Sequence, residues 1–155
     1  MRMPDGYFID SLRPEDLPQV MTVERLSFAH PWTEEAFLAE FQKPYAFFLG
    51  VRQGPRVVAV LLYWTVFPEL HILSLGVHPD HRRRGLATLL LQVLIEMGPE
   101  LECERIDLEV REHNLAGQGL YEALGFTRVG RRRRYYTDTM EDAILYSYVF
   151  PGEIA

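Results

Sequence analysis

The segment from Leu70 to Thr88 constrains the fold more than any other part of the sequence. An apolar strand, Leu70 to Val77, is followed by a six-residue loop rich in proline, aspartate, histidine and arginine, and then by Arg84. Gly85 then opens a long apolar helix that runs from Leu86 to about Met97 and is closed by Gly98-Pro99. Such a unit turns backbone N–H groups and the positive end of a helix dipole towards one point. It is either a cradle for a diphosphate or an ordinary helix start after an exposed loop.

The length and composition favour one globular domain over residues 1–155. With 155 residues and 48% hydrophobic side chains, the chain can bury a sizeable core. A single cysteine, Cys103, excludes a disulfide scaffold and a zinc site of several cysteines, and we expect no bound metal. No apolar leader opens the sequence, and the longest apolar run, Val57 to Trp64, is too short to span a bilayer. We therefore expect a cytoplasmic protein without membrane association.

The charged residues divide into an acidic body and two small basic clusters. There are 22 acidic and 16 basic side chains, which gives a formal net charge of −6. Seven of the arginines lie in two runs, Arg82–Arg84 and Arg131–Arg134. An acidic body argues against nucleic-acid binding, which needs a basic face to displace counterions from phosphates. Two small clusters indicate a small anion instead, although Arg131–Arg134 alternates faces along a strand and is expected to form a solvated edge.

The remaining hydrophobic patterns predict a mixed α/β (α+β) fold. Further strands are expected at Phe8–Leu12, Ala46–Arg52, Arg56–Val66, Arg105–Val110, Phe126–Tyr136 and Ala143–Phe150. Further helices are expected with a first turn at Arg13–Asp16 and an apolar stripe from Leu17, from the N-cap Thr33 to about Gln42, and from Asn114 to Leu124. Strands and helices in this order form a mixed sheet packed against helices.

A few further positions indicate a ligand site. Gly76 interrupts a strand, where glycine often marks a bulge or a close approach of another backbone or a ligand. Glu109 lies near the end of a strand that alternates polar and apolar residues. On the next helix Tyr121 returns to within about 20° of Asn114, with Gly117 between them. Each residue also has an ordinary structural explanation, as a solvated strand face or an amphipathic core position.

In their order along the chain, four motifs resemble a known family. They are Arg82-Arg83-Arg84-Gly85-Leu86-Ala87, Leu108-Glu109-Val110-Arg111, Asn114, and Leu120-Tyr121-Glu122-Ala123-Leu124-Gly125-Phe126. This set resembles the GNAT family of N-acetyltransferases, and within it the RimI group of ribosomal-protein alanine N-acetyltransferases. Pro31-Trp32-Thr33-Glu34 and Arg133-Arg134-Tyr135-Tyr136 are also similar to that group. The resemblance implies a mixed, mostly antiparallel central sheet with helices on both faces.

The resemblance also implies acetyl-CoA as co-substrate and direct transfer of its acetyl group to an amine. In the family the pantetheine arm lies against the bulged strand, which is here Leu75, Gly76 and Val77. The diphosphate is bound by the backbone amides that correspond to Arg83, Arg84, Gly85, Leu86, Ala87 and Thr88. Arg82 corresponds to a residue that shapes the loop, and Asn114 to a residue that touches the coenzyme from the next helix.

By the same resemblance, Glu109 matches the family's proton acceptor and Tyr121 its proton donor. Trp32, Tyr135 and Tyr136 match aromatic residues at the amine-binding end, with ordinary edge packing as the alternative. The expected substrate is the N-terminal amine of a protein, such as the alanine of a ribosomal protein, which the acidic body would attract. The alternatives are a lysine side chain, a polyamine or another small amine, and, from a different class, a non-catalytic acyl-CoA-binding or assembly domain.

Overall fold

The structure is a computed structural model that describes residues 6–152. The strands within this part of the chain are β1 (Tyr7–Ser11), β2 (Ala46–Gln53), β3 (Arg56–Val66), β4 (Glu69–Val77), β5 (Arg105–Arg111), β6 (Thr127–Tyr136) and β7 (Glu141–Val149). The helices are α1 (Leu17–Ser27), α2 (Glu34–Phe41), α3 (Leu86–Glu100) and α4 (Leu115–Ala123). Short 3-10 turns at Pro14–Asp16 and Pro79–His81 precede α1 and α3.

The strands are hydrogen-bonded in the order β1-β2-β3-β4-β5-β7-β6. The pairs β1–β2, β2–β3, β5–β7 and β6–β7 are antiparallel. β4 and β5 are parallel, from the pair Glu69 and Arg105 to the pair Ile72 and Leu108. This topology confirms the predicted mixed, mostly antiparallel sheet.

The described residues form two compact units. The first comprises residues 6–65 and 73–94, and the second comprises residues 66–72 and 95–152. β4 and α3 therefore each contribute residues to both units. The expectation of one domain over residues 1–155 stays a prediction.

The core of the first unit is built around β3. Every side chain of this strand from Val57 to Tyr63 is buried, as expected for a continuous apolar strand. Residues of α1 and α2 pack in the same core, among them Leu17, Val20, Met21, Val23 and Phe37. Thr33 caps α2 as predicted, since its Oγ1 accepts a hydrogen bond from the backbone N–H of Ala36 at 3.1 Å. The cap fixes where the chain turns into α2.

In the second unit, the alternation of β5 is as predicted. Ile106, Leu108 and Val110 are buried, whereas the intervening Asp107 and Glu109 are only partly buried. The polar side chains of β5 therefore share one face of the strand, because successive side chains point to opposite faces. That face carries the polar groups described below.

The predicted end of α3 at Gly98-Pro99 was wrong, because the helix continues to Glu100. A Cβ on Gly98 would overlap the ring of Phe150, so glycine is needed here for packing. Pro99 lies in the last turn, and beyond it the N–H of Leu101 still donates to the carbonyl of Met97 at 3.1 Å. Close packing of the helix therefore explains a glycine that looked like a stop signal.

Candidate active site

The loop between β4 and α3 is held by hydrogen bonds within the first unit. The backbone N–H of His78 donates to the carbonyl of Val58 at 2.8 Å. Nδ1 of His78 accepts from the backbone N–H of Asp80 at 3.1 Å. Nε of Arg82 donates to the carbonyl of Val77 at 3.3 Å. These contacts give the loop a defined shape before it reaches the helix.

The last residues of this loop take an unusual backbone path. Arg83 and Gly85 both have a left-handed conformation, with φ of 62° and 74°. No atom lies within 4 Å of the position of a Cβ on Gly85, so glycine is favoured there by its conformation alone. Between them, Nη1 of Arg84 donates to the hydroxyl of Tyr7 at 2.6 Å. The first turn of α3 follows, with Leu86, Ala87 and Thr88.

The first N–H groups of a helix have no acceptor within the helix, so they are available to an anion at the positive end of the dipole. In α3 this end is preceded by the basic run Arg82–Arg84, whose side chains are exposed. The geometry fits the diphosphate cradle expected from the sequence, with backbone donors and open space at Gly85.

Gly76 allows α1 to approach β4. A Cβ on Gly76 would lie 3.1 Å from Oγ of Ser27 and 3.2 Å from the ring of Phe28. Oγ of Ser27 also donates to the carbonyl of Val77 at 3.1 Å. The glycine therefore has a packing reason, and contact of Leu75, Gly76 and Val77 with a ligand stays a prediction.

Glu109 and His71 form a close pair in the second unit. Nε2 of His71 lies 2.7 Å from Oε2 of Glu109, and both side chains are mostly buried. The hydrogen bond with Glu109 raises the pKa of His71, although burial of the imidazole acts in the opposite direction. An ionised carboxylate only accepts hydrogen bonds, so Nε2 carries the proton in this contact. The predicted proton acceptor is thus held by a basic partner.

Tyr121 is buried in α4. Its ring lies 5.5 Å from that of Phe126 and 6.3 Å from that of Tyr146, measured between centroids. Burial raises the pKa of Tyr121, with a smaller contribution from Tyr136. The phenol therefore keeps its proton throughout the neutral range, as a proton donor requires.

Tyr136 is close enough to both Glu109 and Tyr121 to interact with them electrostatically. Burial raises the pKa of Tyr136 to about 12, and the charge of Glu109 adds to the effect while Arg111 opposes it. The rings of Tyr135 and Tyr136 are 5.1 Å apart. The structure therefore brings the two predicted catalytic residues and the predicted tyrosine pair into one region of the second unit.

Arg111 holds the hairpin that carries these tyrosines. Its guanidinium lies 4.0 Å from the ring centre of Tyr136. The same group binds both carboxylate oxygens of Asp138, at 2.9 and 3.2 Å, and lies 3.4 Å from Oε1 of Glu141. A planar, bidentate contact of this kind fixes orientation as well as distance.

Trp32 lies in the first unit, between α1 and α2. Its ring stacks on Phe37 with centroids 5.1 Å apart, and its backbone N–H donates to Oε2 of the buried Glu24 at 2.9 Å. Oε1 of Glu24 accepts from Oγ of Ser74 at 3.1 Å. Burial raises the pKa of Glu24. Trp32 is therefore anchored through both its ring and its backbone, and its contact with a substrate stays a prediction.

The expectation that Asn114 lies on the face of the last helix was wrong, because α4 begins at Leu115 and Asn114 is its N-cap. Oδ1 of Asn114 accepts from the N–H of Gly117 at 2.9 Å. A Cβ on Gly117 would lie 2.7 Å from Nδ2 of Asn114, so a larger residue here would require the capping amide to shift. A contact of Asn114 with the coenzyme stays a prediction.

The profile of the acetyltransferase (GNAT) family matches residues 17–126. The chain belongs to the GNAT family. The ribosomal protein bS18-alanine N-acetyltransferase of Escherichia coli strain K12 is 36% identical over 139 residues, which cover 88% of this chain and 93% of that protein. The N-alpha-acetyltransferase RimI of Mycobacterium tuberculosis is 35% identical over 117 residues, 73% of this chain and 72% of that protein.

The crystal structure of the ribosomal-protein-S18-alanine N-acetyltransferase from Escherichia coli is similar to this GNAT structure with a TM-score of 0.86. The two chains are 33% identical, and the match covers 96% of this chain and 98% of the other. The resemblance that the motifs carry is confirmed, and the protein is an acetyltransferase.

The sequence of this acetyltransferase did not single out His71, Glu24 or a role for Arg111. A signal for His71 was present, because Glu69 and His71 alternate with buried residues of β4 as Asp107 and Glu109 do along β5. Recognising the pair requires the register of the two parallel strands, which a single sequence does not supply. Glu24 lies in the amphipathic helix α1, where a glutamate is expected on the exposed face, so the sequence gives no sign that it is buried.

Arg131–Arg134, which the sequence left without a function, is partly engaged in ion pairs. Nη1 of Arg131 lies 2.8 Å from Glu112 and 2.7 Å from Asp142. The backbone N–H of Arg134 donates to Oδ1 of Asp142 at 2.9 Å. Within the GNAT chain this run therefore ties β6 to β7 and to the residues that follow β5.

Between residues 6 and 152, no three histidine, cysteine, aspartate or glutamate side chains are grouped in a way that could hold a metal ion. No helix within the same residues is long and apolar enough to cross a bilayer.

Proposed function

We propose that the chain transfers the acetyl group of acetyl-CoA to the N-terminal α-amine of a protein, with a ribosomal protein that begins with alanine as its substrate. The similarity to the bS18-alanine N-acetyltransferase of Escherichia coli carries the proposal, since it extends over 88% of this chain and 93% of that protein. The motifs Arg82–Ala87 and Leu120–Phe126 lie within the matched family profile.

The coenzyme would be bound by backbone groups of the first unit. The amides of Arg83, Arg84, Gly85, Leu86, Ala87 and Thr88 suit the diphosphate, and Leu75, Gly76 and Val77 suit the pantetheine arm. Open space at Gly85 supports this assignment, because a Cβ there would meet no atom within 4 Å and the loop leaves room for an anion. Acetyl-CoA, when bound, supplies an acetyl group activated as a thioester. Asn114 would make a further contact with the coenzyme.

Glu109 would remove a proton from the acceptor. An α-amine has a pKa of about 7.7–8.0, so most of it is protonated at neutral pH and cannot attack a thioester. Oε2 of Glu109 accepts a hydrogen bond from His71, which keeps the carboxylate oriented and next to positive charge when His71 is protonated. The carboxylate can then take the proton of the amine directly or through water.

Tyr121 would return a proton at the end of the reaction. Its phenol is buried and remains protonated at neutral pH, so its Oη holds a proton for the leaving sulfur. Two groups with opposite protonation states suit a reaction that takes one proton and returns another.

Trp32, Tyr135 and Tyr136 would contact the first residues of the acceptor peptide. The rings of Trp32 and Tyr136 already pack against Phe37 and Arg111, so these two side chains lose little conformational freedom on binding. The net charge of −6 supports a basic acceptor such as a ribosomal protein, because opposite charge speeds encounter.

A pair of matched peptides tests the proposal. Both begin with alanine and contain one lysine, but in one the lysine is acetylated beforehand and in the other the α-amine is. Each is incubated with the protein and acetyl-CoA, and the products are located by mass spectrometry. We expect acetylation only of the peptide with the free α-amine.

A product on lysine alone would favour the side-chain alternative, and a panel of polyamines and other small amines tests the remaining enzymatic one. A library that varies the first residue then tests the preference for alanine. Turnover of every α-amine except alanine would contradict the proposed substrate while leaving α-amine transfer intact.

A further inference from the structure

Tyr7 connects the first strand of the sheet to the loop that precedes α3. The residue is only 3% exposed, and its hydroxyl contacts two side chains far along the sequence. Nδ1 of His81 lies at 2.7 Å and Nη1 of Arg84 at 2.6 Å. The ring of Tyr7 also packs edge-on against that of His81, with centroids 5.7 Å apart. All three residues belong to the first unit.

The direction of the hydrogen bond with Arg84 follows from its donor, and that of the bond with His81 depends on the tautomer of the imidazole. A guanidinium has no acceptor, so Arg84 donates to the oxygen of Tyr7. In the tautomer of neutral His81 that leaves Nδ1 without a proton, the hydroxyl donates its own proton to that nitrogen. Burial lowers the pKa of His81, and the charge of Arg84 lowers it further, so a neutral imidazole is consistent with this arrangement.

The loop needs such support because its backbone is strained. Arg83 takes a left-handed conformation, φ 62°, that costs about 1 kcal/mol or more for a residue with a side chain. Arg84 lies between Arg83 and Gly85, two residues before α3 begins at Leu86. A hydrogen bond on Arg84 therefore restrains the segment whose amides are proposed to bind the coenzyme.

We infer that Tyr7 is a positioning residue for coenzyme binding: through His81 and Arg84 it holds the backbone amides of residues 83–88 in the arrangement that binds the diphosphate. The inference rests on the proposed use of acetyl-CoA. Tyr7 does not contact the coenzyme itself in this assignment. It acts through the two side chains that its hydroxyl joins.

The variant Tyr7→Phe removes the hydroxyl and keeps the ring. Two acetyl donors separate a role at the diphosphate from a general structural role: acetyl-CoA, and acetyl-pantetheine, which carries the same thioester but no diphosphate. We expect Tyr7→Phe to raise the KM for acetyl-CoA about tenfold, as expected for loss of about two hydrogen bonds, and to change kcat less than about twofold. The kinetics with acetyl-pantetheine should not change.

Tyr63→Phe is the matched control, because Tyr63 is a buried tyrosine of the same unit on β3. It should leave the KM for both donors unchanged. Arg84→Ala, at an exposed position, should raise the KM for acetyl-CoA selectively as well. The double variant, Tyr7→Phe with Arg84→Ala, should have a KM for acetyl-CoA close to that of either single variant, because both substitutions remove the same contact.

Equal losses with both donors, or an unchanged KM for acetyl-CoA, would overturn the inference. If Tyr7→Phe does not fold, Arg84→Ala decides the matter by the same donor comparison. Calorimetry with coenzyme A and the unaltered protein separates the two proposals. No binding there would mean that the proposed function fails, whereas normal binding that Tyr7→Phe and Arg84→Ala leave intact would overturn only the role of Tyr7.

Discussion

His71 on β4 and Glu109 on β5 are joined by a hydrogen bond of 2.7 Å between Nε2 and Oε2. The parallel register places His71 opposite Asp107, two residues before Glu109, so the side chains share one face. The pair gives the proposed proton acceptor a fixed orientation and a basic neighbour. It also makes the stability of the fold depend on pH.

We expect the pair to stabilise the protein more at about pH 6 than at about pH 9. The hydrogen bond raises the pKa of His71 above 6.5, so its contribution is full below that value and is lost as pH rises through the folded-state pKa. His71→Gln should therefore lower Tm more at about pH 6 than at about pH 9. Glu109→Gln should remove the same pH-dependent contribution to Tm, because it removes the charge of the partner of His71. A Tm difference that does not vary with pH would contradict this.

Glu109→Gln should lower kcat by about 10²–10⁴ while coenzyme binding is retained. Glutamine keeps an oxygen that can accept from His71, but the amide cannot take a proton from the acceptor amine. Steady-state kinetics with an alanine-initiated peptide and calorimetry with coenzyme A measure the two quantities. An unchanged kcat would show that Glu109 is not the base.

Tyr121→Phe should also lower kcat by about 10²–10⁴, without loss of coenzyme binding. The ring keeps its contacts with Phe126 and Tyr146, so Tm should change little. Tyr148→Phe is a suitable control, since the Tyr148 ring also packs on Phe126. Comparable losses of kcat in both variants would point to packing rather than to proton donation.

Signals that act within one element were readable from the sequence. The alternation of β5 and the cap at Thr33 depend on neighbours a few residues apart, and both are found in the structure. The GNAT motifs gave the family for a similar reason, because they keep a fixed order and spacing. The position of each strand followed from the same local patterns, with ends that differ by one or two residues.

Features that depend on partners distant in sequence were not readable. The glycines at 76 and 98 face Ser27 and Phe150, which no local pattern connects to them. Asn114 was assigned to a helical face. Asparagine side chains often bond to nearby backbone groups instead of continuing a helix, and here the side chain of Asn114 accepts from the N–H of Gly117 and caps α4. The pair of His71 and Glu109 required the register of two strands.

Arg111→Ala should raise the KM for the acceptor peptide about tenfold and leave the KM for acetyl-CoA nearly unchanged. The reason is that Arg111 stacks on Tyr136 and binds Asp138 through two oxygens, which holds the proposed acceptor end in place. Arg111→Lys should restore little, because lysine offers neither the bidentate contact nor the planar stacking.

Arg105→Ala provides the matched control for Arg111. It removes an arginine of the same strand that pairs with Glu69 and Asp107, at the other end of β5. Its KM for peptide should stay unchanged. A peptide KM that Arg111→Ala does not alter, or that Arg105→Ala raises equally, would contradict a role at the acceptor end.

The two glycines of α4 should respond differently to alanine. A Cβ on Gly119 meets no atom within 4 Å, so Gly119→Ala should gain helix propensity and raise the free energy of unfolding by about 0.5–1 kcal/mol. A Cβ on Gly117 would lie 2.7 Å from Nδ2 of Asn114 and displace the amide that caps the helix. Loss of the cap costs about 1 kcal/mol, so Gly117→Ala should be less stable than Gly119→Ala by about that amount.

Urea unfolding of the two variants measures this difference, and Asn114→Ala tests its cause. If the cap is what selects glycine at 117, Asn114→Ala should destabilise the unaltered protein by about 1 kcal/mol but have little further effect in the Gly117→Ala background. Equal stabilisation by Gly117→Ala and Gly119→Ala would show that the amide of Asn114 moves aside at no cost. The glycine at 117 would then need another explanation, such as close approach of the coenzyme, and the Kd of coenzyme A for Gly117→Ala would test it.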